Sequence, residues 1–515
     1  MIRPIADCPN HVGHPSSICP KRNRQKFRAI RYARFLVSNI IKTLKCRFIT
    51  TPVRRRRCTS VIQHAAPNRL SIMIRNNMTK KDSRMKGSLA IVLLGTLLVA
   101  GTSNASDVMQ FRGQSAQGSY DESGLLKQWP EDGLKPMWVN PELGAGWSSV
   151  TKVKDRLYVN CEDATDRKKE QVICLDLDGK KIWQTQTGNA WDKSYPAARS
   201  TPTFIPQVKT GSQTIDMVVV LTGQGEVACF NAKDGALIWS KDIATPFGGK
   251  PGRWGYAESL TARDGLIFAT PCGNQASVVA LRASNGDIAW QAPSNGDNCA
   301  YVSPILDGKK LIQLTSTYVF CIDTDNGKML WKHSYAQDAS GKWKGINCNT
   351  PLLKDNQLFV TAGYNQGGVM YEILPANKGL KVLWKTDDLD PHHGGAVQLN
   401  GRIYGSNWIN NGNGNWLSVD WNTGKTIYDT KWDNLGKGSI ITADGMIYIY
   451  EEKRGTIGLV KPTDQFQVVS QFQIDFGSRE HWSHPVISDG ILYVRHGDAL
   501  AAYDLRSKKR TASRE

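Results

Sequence analysis

Two adjacent histidines lie in the segment DPHHGGAVQLNGRIYG, residues 390–405. Imidazole nitrogens bind zinc and copper and exchange protons near neutral pH, so the pair suits a metal site or acid–base chemistry. A metal site would join His392 or His393 to His484, but no carboxylate at i+2 or i+4 spacing accompanies them. Adjacent residues on a strand also point to opposite faces. We therefore predict that His393 alone faces a functional site, that His392 packs or caps at the loop, and that no metal is bound.

An internal repeat determines where such residues lie in the fold. A short apolar strand, a tight turn with Gly, and an aromatic residue shortly after that Gly recur along the chain. A second hairpin, often with Asp-Gly or Asn-Gly at its turn, precedes each of these phrases, and such dipeptides favour two-residue turns between strands. Each unit is thus predicted to be a four-stranded meander, A-B-C-D. The aromatic residues that end the units are Trp183, Trp239, Trp290, Trp331, Trp384 and Tyr428.

We count eight units, which predicts an all-β fold, an eight-bladed β-propeller of four-stranded antiparallel blades. The seventh unit lacks the Gly and Trp and is assigned by spacing. The eighth lacks a fourth strand, so we expect an N-terminal strand ending in Trp138 to close the ring. The recurring Trp is expected to pack between neighbouring blades. The units begin near Ser148, Ser200, Ala257, Tyr301, Asn349, Gly394, Gly438 and Ser483.

The positive charge of the chain is confined to its N-terminal part. The formal net charge is +19, yet residues 1–105 hold 21 Lys and Arg against 2 Asp and Glu, and the remainder holds 44 of each. This balance argues against a nucleic-acid partner. Residues 78–105 resemble a secretory signal cleaved after Ala105, with an apolar run too short to span a bilayer. We expect a periplasmic or secreted protein without a stable membrane span, a retained anchor being the alternative.

The strand repeat and the charge distribution together divide the rest of the chain into segments. Residues 1–77 are interpreted as a mis-assigned start or a disordered basic leader, an Arg-rich targeting peptide being the alternative. Residues 106–147 form a lead-in with the ring-closing strand, 148–510 the propeller, and 511–515 a tail. Seven cysteines follow residue 105, so an oxidising compartment would leave at least one thiol unpaired. The candidate disulfide partners, with their pairing left open, are Cys272, Cys299 and Cys348.

The connections between strands are unequal in length. A–B and C–D turns are short, whereas D–A and B–C connections include long loops, and these share one face of a meander. Function is therefore expected on that face and at the channel mouth. The polar and aromatic residues there suit a polar or sugar-like ligand, the alternative being a water-filled mouth whose polar groups satisfy one another. The candidate catalytic residues are His393, Glu258 and Lys437, and the candidate ligand-binding residues are Arg199, Trp254, Tyr256, Tyr301, Asn347, Asn349, Trp482 and His484.

An ordered set of motifs extends over residues 108–505. It includes FRGQSAQGSY, ARSTPT, WGYAES, HHGGAV, ADGMIYIYEEKRG and HPVISDGILYVR. In this set the chain resembles the exported PQQ-like β-propeller repeat proteins common in planctomycete-type bacteria. That family resembles the quinoprotein alcohol dehydrogenases, the polyvinyl-alcohol dehydrogenase-like proteins and the propeller BamB in fold, and likeness of fold does not establish an activity.

The resemblance implies two functions from different classes. An alcohol or polyvinyl-alcohol dehydrogenase-like oxidoreductase, with its site at the same mouth, would bind pyrroloquinoline quinone (PQQ) over Ca²⁺. Glu258, Asn347 and Asn349 would offer oxygens, and Trp147 or Trp482 a stacking surface. The chain lacks the adjacent cysteines typical of such enzymes and lacks a haem motif. We favour a monomeric binding or scaffolding module, without a certain cofactor, that holds a small polar or polymeric ligand or a protein partner at the loop face. A hydrolase or lyase using Glu258 or Glu452 with His393 and Lys437 is the third alternative.

Overall fold

A computed structural model describes residues 107–507 of the chain. The proposed leader, the signal segment 78–105 and the tail 511–515 lie outside the described residues. Within residues 107–507 no helix is long and apolar enough to cross a membrane. The short helices of this part are three 3-10 turns, at Thr245–Phe247, Tyr335–Gln337 and Pro375–Asn377.

The strands of this part form eight sheets with a four-stranded antiparallel meander in each, which confirms the predicted eight-bladed propeller. Blade 1 contains β3 (Thr151–Val153), β4 (Arg156–Glu162), β5 (Lys169–Asp176) and β6 (Lys181–Asn189); blade 2 contains β7 (Thr203–Thr210), β8 (Gln213–Leu221), β9 (Glu226–Asn231) and β10 (Leu237–Asp242). Blade 3 contains β11 (Thr261–Arg263), β12 (Leu266–Ala269), β13 (Ala276–Arg282) and β14 (Ile288–Pro293); blade 4 contains β15 (Ile305–Asp307), β16 (Lys310–Leu314), β17 (Tyr318–Asp323) and β18 (Met329–Ser334).

The second half of the ring repeats this plan. Blade 5 contains β19 (Leu352–Lys354), β20 (Gln357–Thr361), β21 (Gly368–Ile373) and β22 (Leu380–Thr386); blade 6 contains β23 (Ala396–Leu399), β24 (Arg402–Ser406), β25 (Trp416–Asp420) and β26 (Thr426–Thr430). Blade 7 contains β27 (Gly438–Ala443), β28 (Met446–Glu451), β29 (Thr456–Pro462) and β30 (Phe466–Gln473); blade 8 contains β31 (Val486–Ser488), β32 (Ile491–His496), β33 (Ala499–Asp504) and β2 (Trp138–Asn140).

The ring closes as the sequence predicts. The early strand β2 pairs antiparallel with β33, and Trp138 lies opposite Ala502. The seventh blade, which was assigned by spacing, has all four of its strands. A short strand that the sequence did not predict, β1 (Ser119–Tyr120), adds in parallel to β27. Ring closure pairs the otherwise open edge of the eighth blade, so that the first and last parts of the propeller stabilise each other.

The repeated Gly and Trp lock neighbouring blades together, which confirms the packing role predicted for the Trp. The indole nitrogen of Trp290 donates a hydrogen bond of 2.9 Å to the carbonyl of Thr324 in the next blade. A Cβ atom on Gly327, in that same turn, would lie 2.5 Å from the Trp290 ring. Glycine is therefore required because the ring of the preceding blade occupies the space of a side chain. The same pairing joins Gly179 to Trp138, Gly235 to Trp183, Gly286 to Trp239 and Gly424 to Trp384.

Because of the contact between Gly327 and Trp290, alanine should cost more stability at Gly327 than at a glycine without such a neighbour. Gly327 and Gly265 both have positive φ, +76° and +74°, but nothing lies within 4 Å of a Cβ atom placed on Gly265. Both Ala substitutions strain the backbone, whereas only Gly327→Ala also overpacks the interface between blades. We expect it to lower the free energy of unfolding by about 2 kcal/mol more than Gly265→Ala does. Chemical denaturation of the two variants measures this difference, and equal losses would contradict the interlock.

The segment 108–120 closes one end of the channel, a role that the sequence did not reveal. Val108 forms a bridge with Lys152 of blade 1, and the carbonyl of Met109 accepts a hydrogen bond of 2.8 Å from the amide of Phe204 in blade 2. The side-chain oxygen of Gln117 accepts a hydrogen bond of 2.8 Å from the amide of Leu353 in blade 5, and the carbonyl of Gly118 accepts one of 2.8 Å from the amide of Thr442 in blade 7. Three of these partners, Lys152, Leu353 and Thr442, lie next to the A–B turns of their innermost strands. The open mouth is therefore at the long-loop end.

The seven cysteines between residues 161 and 348 are free thiols. The expectation of a disulfide among Cys272, Cys299 and Cys348 is therefore not met. Cys299 instead directs its sulfur toward the carbonyl of Pro271, at 3.5 Å. Burial raises the pKa of Cys348 to about 12, so that its thiol stays protonated.

Candidate functional site

Four titratable side chains meet at the channel mouth on the long-loop face. His392 and His393 lie in the D–A loop that leads into blade 6, and Lys437 lies in the D–A loop that leads into blade 7. Glu452 lies in the B–C loop of blade 7. Three separate loops therefore bring these side chains together at the face where the sequence predicts function.

Lys437 and Glu452 form a buried ion pair. The distance from Lys437 Nζ to Glu452 Oε1 is 2.5 Å, and the two side chains are only 1% and 5% exposed. The same ammonium donates hydrogen bonds of 3.1 and 2.8 Å to the carbonyls of Asn410 and Asn411. All three N–H bonds of Lys437 thus have acceptors, as a buried charge requires. This arrangement occupies one oxygen of Glu452 and leaves the other free.

The free oxygen of Glu452 faces both histidines. Oε2 lies 3.4 Å from His393 Nε2 and 3.8 Å from His392 Nδ1, and neither contact is a hydrogen bond. The imidazole centroids are 4.4 Å apart. The expectation that the two histidines point to opposite sides is therefore wrong. Strand β23 begins only at Ala396, so the pair lies in a bend, where the alternation of a strand does not apply.

Packing of the backbone against neighbouring blades fixes this bend. Asn349 donates to the carbonyl of Pro391 at 2.7 Å and accepts from the amide of Gly395 at 3.1 Å. A Cβ atom on Gly394 would lie 1.8 Å from the carbonyl oxygen of Gly438, so only glycine allows the loop to approach blade 7. Asn349, predicted to bind ligand, is thus a positioning residue.

His484 supports the same bend from blade 8. Its Nε2 lies 3.0 Å from the carbonyl oxygen of His393, and its Nδ1 lies 3.0 Å from Arg112 Nη1. Because a carbonyl only accepts, Nε2 carries the proton and Nδ1 accepts from the guanidinium. Burial and the nearby guanidinium lower the pKa of His484 to about 3, which keeps the ring neutral. Both nitrogens are engaged, so His484 positions His393 and offers no free ligand atom.

The pKa of His393 lies well below its usual value. Burial is the main cause, and repulsion from His392, Lys437 and His484 adds to it. The imidazole is therefore neutral at neutral pH, with lone-pair electrons available to a proton donor or a cation.

Aromatic side chains form two walls beside the histidines. In the first wall, the ring of Trp482 lies 4.9 Å from His393, 5.2 Å from Trp147 and 5.1 Å from Tyr195. The guanidinium of Arg199 lies 5.3 Å from the Trp147 ring, a cation–π distance. Arg199 and Trp482 are thus brought to the mouth near His393.

The second wall stands beside the other histidine. Tyr364 Oη lies 3.0 Å from His392 Nε2, and its ring lies 5.0 Å from that of Trp408. The ammonium of Lys344 lies within cation–π distance of both rings. Tyr195, Tyr364 and Trp408 were missed by sequence reasoning. Their one sequence signal is that each is an aromatic residue in a D–A or B–C connection, on the long-loop face.

The other predicted site residues make their ring contacts and hydrogen bonds outside this cluster. Trp254 and Tyr301 pack edge to face at 5.5 Å on the side of blades 3 and 4. Tyr256 is buried and donates to the carbonyl of Pro271 at 3.1 Å, and Asn347 donates to the carbonyl of Thr315 at 2.7 Å. These contacts are those of structural side chains.

Glu258, a predicted catalytic residue, is also separate from His393 and Lys437. Its Oε2 accepts a hydrogen bond of 3.0 Å from the amide of Thr270, and its Oε1 lies 3.0 Å from the Thr270 hydroxyl. Gln313 lies beside the same carboxyl group, at 3.5 Å. Burial raises the pKa of Glu258 to about 8, although the hydrogen bonds from Thr270 oppose this shift. The carboxyl is therefore largely protonated at neutral pH and is poorly suited to act as a base.

The raised pKa of Glu258 predicts a pH dependence of stability. The folded protein keeps this proton to a pKa of about 8, whereas the unfolded chain releases it near the ordinary glutamate pKa of 4.5. Stability should therefore fall as pH rises from 4.5 toward 8, by about 1 kcal/mol per pH unit. Glu258→Gln keeps a neutral side chain and should flatten this dependence. Urea denaturation of both proteins across this pH range measures it, and identical slopes would contradict a protonated Glu258.

Comparisons with known proteins agree with this architecture. The family model described as "Outer membrane protein assembly factor BamB" matches residues 168–430, which are 263 of the 515 residues. No curated protein matches the chain by sequence.

Among solved structures, BamB from Moraxella catarrhalis has 15% identity and a TM-score of 0.51, covering 72% of this chain and 99% of that chain. A quinohemoprotein alcohol dehydrogenase from Pseudomonas putida HK5 has 10% identity and a TM-score of 0.48, covering 78% and 80%. At 15% identity the likeness to BamB shows the fold alone. The resemblance to PQQ-like propellers is confirmed by the family match, and the chain belongs to the BamB family of PQQ-like repeat β-propellers.

Proposed function

We propose that this protein is an exported binding module that holds a polar, ring-bearing ligand, such as a sugar unit, at the mouth of its channel. The observation that carries this proposal is the pair of aromatic walls, around Trp482 and Tyr364, on either side of a buried floor of His393, Lys437 and Glu452. Aromatic faces stack on sugar-like rings, and polar groups between them fix the orientation of the ligand. The signal-like segment 78–105 supports export.

The closed end of the channel also supports ligand binding at the mouth. The segment 108–120 fills the opposite end, and its Arg112 is only 2% exposed and reaches His484 beneath the floor of the site. A ligand would therefore enter and leave by the long-loop face alone. The proposal covers a free sugar, the end of a polymer, or a glycan on a partner protein, since each presents the same chemistry.

The residues expected to hold Ca²⁺ beneath PQQ do not fit that role. Both carboxyl oxygens of Glu258 are engaged by Thr270, and the side-chain oxygen of Asn349 accepts from Gly395. Burial raises the pKa of Glu258 to about 8, so its carboxyl is largely neutral at neutral pH, and a neutral carboxyl is a poor Ca²⁺ ligand. Ca²⁺ needs six to eight oxygen ligands, and among Glu258, Asn347 and Asn349 only the side-chain oxygen of Asn347 is without a hydrogen-bond partner.

The hydrolase or lyase alternative is weakened by the same kind of contact. The structure does bring Glu452, His393 and Lys437 together. However, Lys437 has all its N–H bonds occupied by Glu452 and two backbone carbonyls, so it has no free N–H to donate to a substrate. A binding role does not require Lys437 to act on a substrate.

The test is a screen of the purified protein, treated with a chelator, against an array of neutral and acidic oligosaccharides. A hit is then titrated by calorimetry. Trp482→Ala should weaken the affinity about tenfold or more, as expected for a central aromatic contact. Trp254→Ala is the matched control, because it removes a half-buried Trp of the same face that packs on Tyr301 rather than on His393. No bound glycan, or an equal loss in both variants, would contradict the proposal.

A further inference from the structure

We propose that His392, His393 and Glu452 bind one divalent metal ion of the Zn²⁺ class at the floor of the mouth. Each residue contributes one ligand atom, His392 Nδ1, His393 Nε2 and Glu452 Oε2, and these atoms lie within 4.8 Å of one another. This inference goes beyond the binding of a sugar-like ligand and does not depend on it.

The first observation is that the three atoms are buried and have no hydrogen-bond partner. Glu452 is 5% exposed, so its free oxygen cannot gain solvation from bulk water. Unpartnered buried polar atoms are rare and costly in native proteins, and here three of them converge on one point. A cation at that point would satisfy all three at once.

The second observation is the spacing of these atoms. Metal–nitrogen and metal–oxygen bonds of about 2.0–2.2 Å in a tetrahedral site place ligand atoms roughly 3.3–3.6 Å apart. The separations from Glu452 Oε2 are 3.4 Å to His393 Nε2 and 3.8 Å to His392 Nδ1. They are too long for hydrogen bonds of good geometry and close to the edges of a tetrahedral coordination shell.

Neighbouring groups hold each of the three ligand residues in position, as the hydrogen-bond partners of metal ligands do in known metal sites. Tyr364 Oη lies 3.0 Å from His392 Nε2, and an N–H at that position leaves Nδ1 as the lone-pair donor. Lys437 holds Oε1 of Glu452 at 2.5 Å, which turns Oε2 toward the imidazoles. His484 fixes the backbone of His393 through its carbonyl, at 3.0 Å.

The ligand set selects the class of ion. Two imidazoles and one carboxylate suit Zn²⁺ and related first-row ions, whereas Ca²⁺ and Mg²⁺ prefer oxygen shells. Three protein ligands also leave at least one coordination position, which water or a bound ligand at the mouth would fill. Since Lys437 neutralises part of the Glu452 charge, we expect that added group to be an anion or a hydroxide.

The test is a metal titration of the full-length protein without a histidine tag and without any glycan. After treatment with a chelator, Zn²⁺ binding is measured by competition with a chromophoric chelator, and Co²⁺ binding by visible absorption. We expect one high-affinity equivalent per chain. His393→Ala and Glu452→Gln should each weaken this binding at least about 100-fold, and Tyr364→Phe about 10-fold or more. The matched control is His333→Ala, since His333 pairs with Asp338 in blade 4, at 2.6 Å.

Each result decides the question. Binding that is lost in His393→Ala and kept in His333→Ala supports the site. No stoichiometric binding by the wild-type chain, or unchanged affinity in His393→Ala, overturns it. Should Glu452→Gln fail to fold, His393→Ala and Tyr364→Phe remain decisive, because neither removes the partner of Lys437. The glycan titration is performed with chelator present, so either proposal can fail without the other.

Discussion

The Lys437→Met variant is expected to unfold with a free energy about 3–5 kcal/mol below that of the wild type, because it leaves the Glu452 carboxylate buried without its cation. The two side chains are 1% and 5% exposed and 2.5 Å apart, so water cannot replace the lost partner. Glu452→Gln should also destabilise the protein strongly, since it leaves an unpaired ammonium beneath the mouth.

The double variant Lys437→Met/Glu452→Gln distinguishes a lost pair from simple damage to the loops. It removes both charges, so we expect it to be more stable than the sum of the single effects predicts, with a coupling energy of about 2–3 kcal/mol. Denaturant unfolding of the four proteins measures this energy. Lys381→Met is the control, because its ion pair with Glu372 is exposed to solvent and should contribute little. Additive single effects would contradict the buried pair.

Arg112→Ala is the second large change, with an expected loss of about 3 kcal/mol in the free energy of unfolding. The buried guanidinium donates to the carbonyls of Ala396, Gln117 and Ile440, at 2.5, 3.0 and 3.4 Å, and to His484 Nδ1 at 3.0 Å. Its removal leaves these acceptors inside a closed channel, where they cannot all be hydrated. It also releases the N-terminal segment from the centre of the ring.

Hydrogen exchange locates the effect of Arg112→Ala as well as measuring it. The amide of Thr442 donates to Gly118 of the N-terminal segment, at 2.8 Å, so its exchange should accelerate when the segment detaches. Arg156→Ala is the matched control. That guanidinium also donates to a carbonyl, of Ala232 at 3.1 Å, but it is half-exposed and lies outside the channel. Similar losses in both variants would show that Arg112 does not organise the channel.

Much of the fold could be predicted because its rules are local. Gly and Trp recur within a few residues of each other, and each such pair indicates one C–D turn. The Trp of one blade then packs on the Gly of the next blade. The hairpin turns gave strand boundaries, and the incomplete eighth unit with the unpaired Trp138 predicted ring closure. The loop lengths alone predicted which face would hold His393, Lys437 and Glu452.

The candidate site was predicted only in part, because its members come from different blades. His393, Lys437, Arg199 and Trp482 do lie at the mouth. Glu258 also follows a long loop into an innermost strand, yet its carboxyl turns to Thr270 within its own blade. Side-chain direction depends on neighbours that spacing does not reveal.

The sequence by itself determined the all-β propeller, its eight blades, its closure and the face that carries its long loops, since strand alternation and turn chemistry act over a few residues. Only the tertiary structure decided that His392 and His393 share one side. Glycines 394 and 395 allow a bend against blade 7, and Asn349 and His484 hold it through contacts from two other blades. Tertiary structure also placed Arg112 in the channel and Glu452 opposite the histidines, because these contacts join residues far apart in the chain.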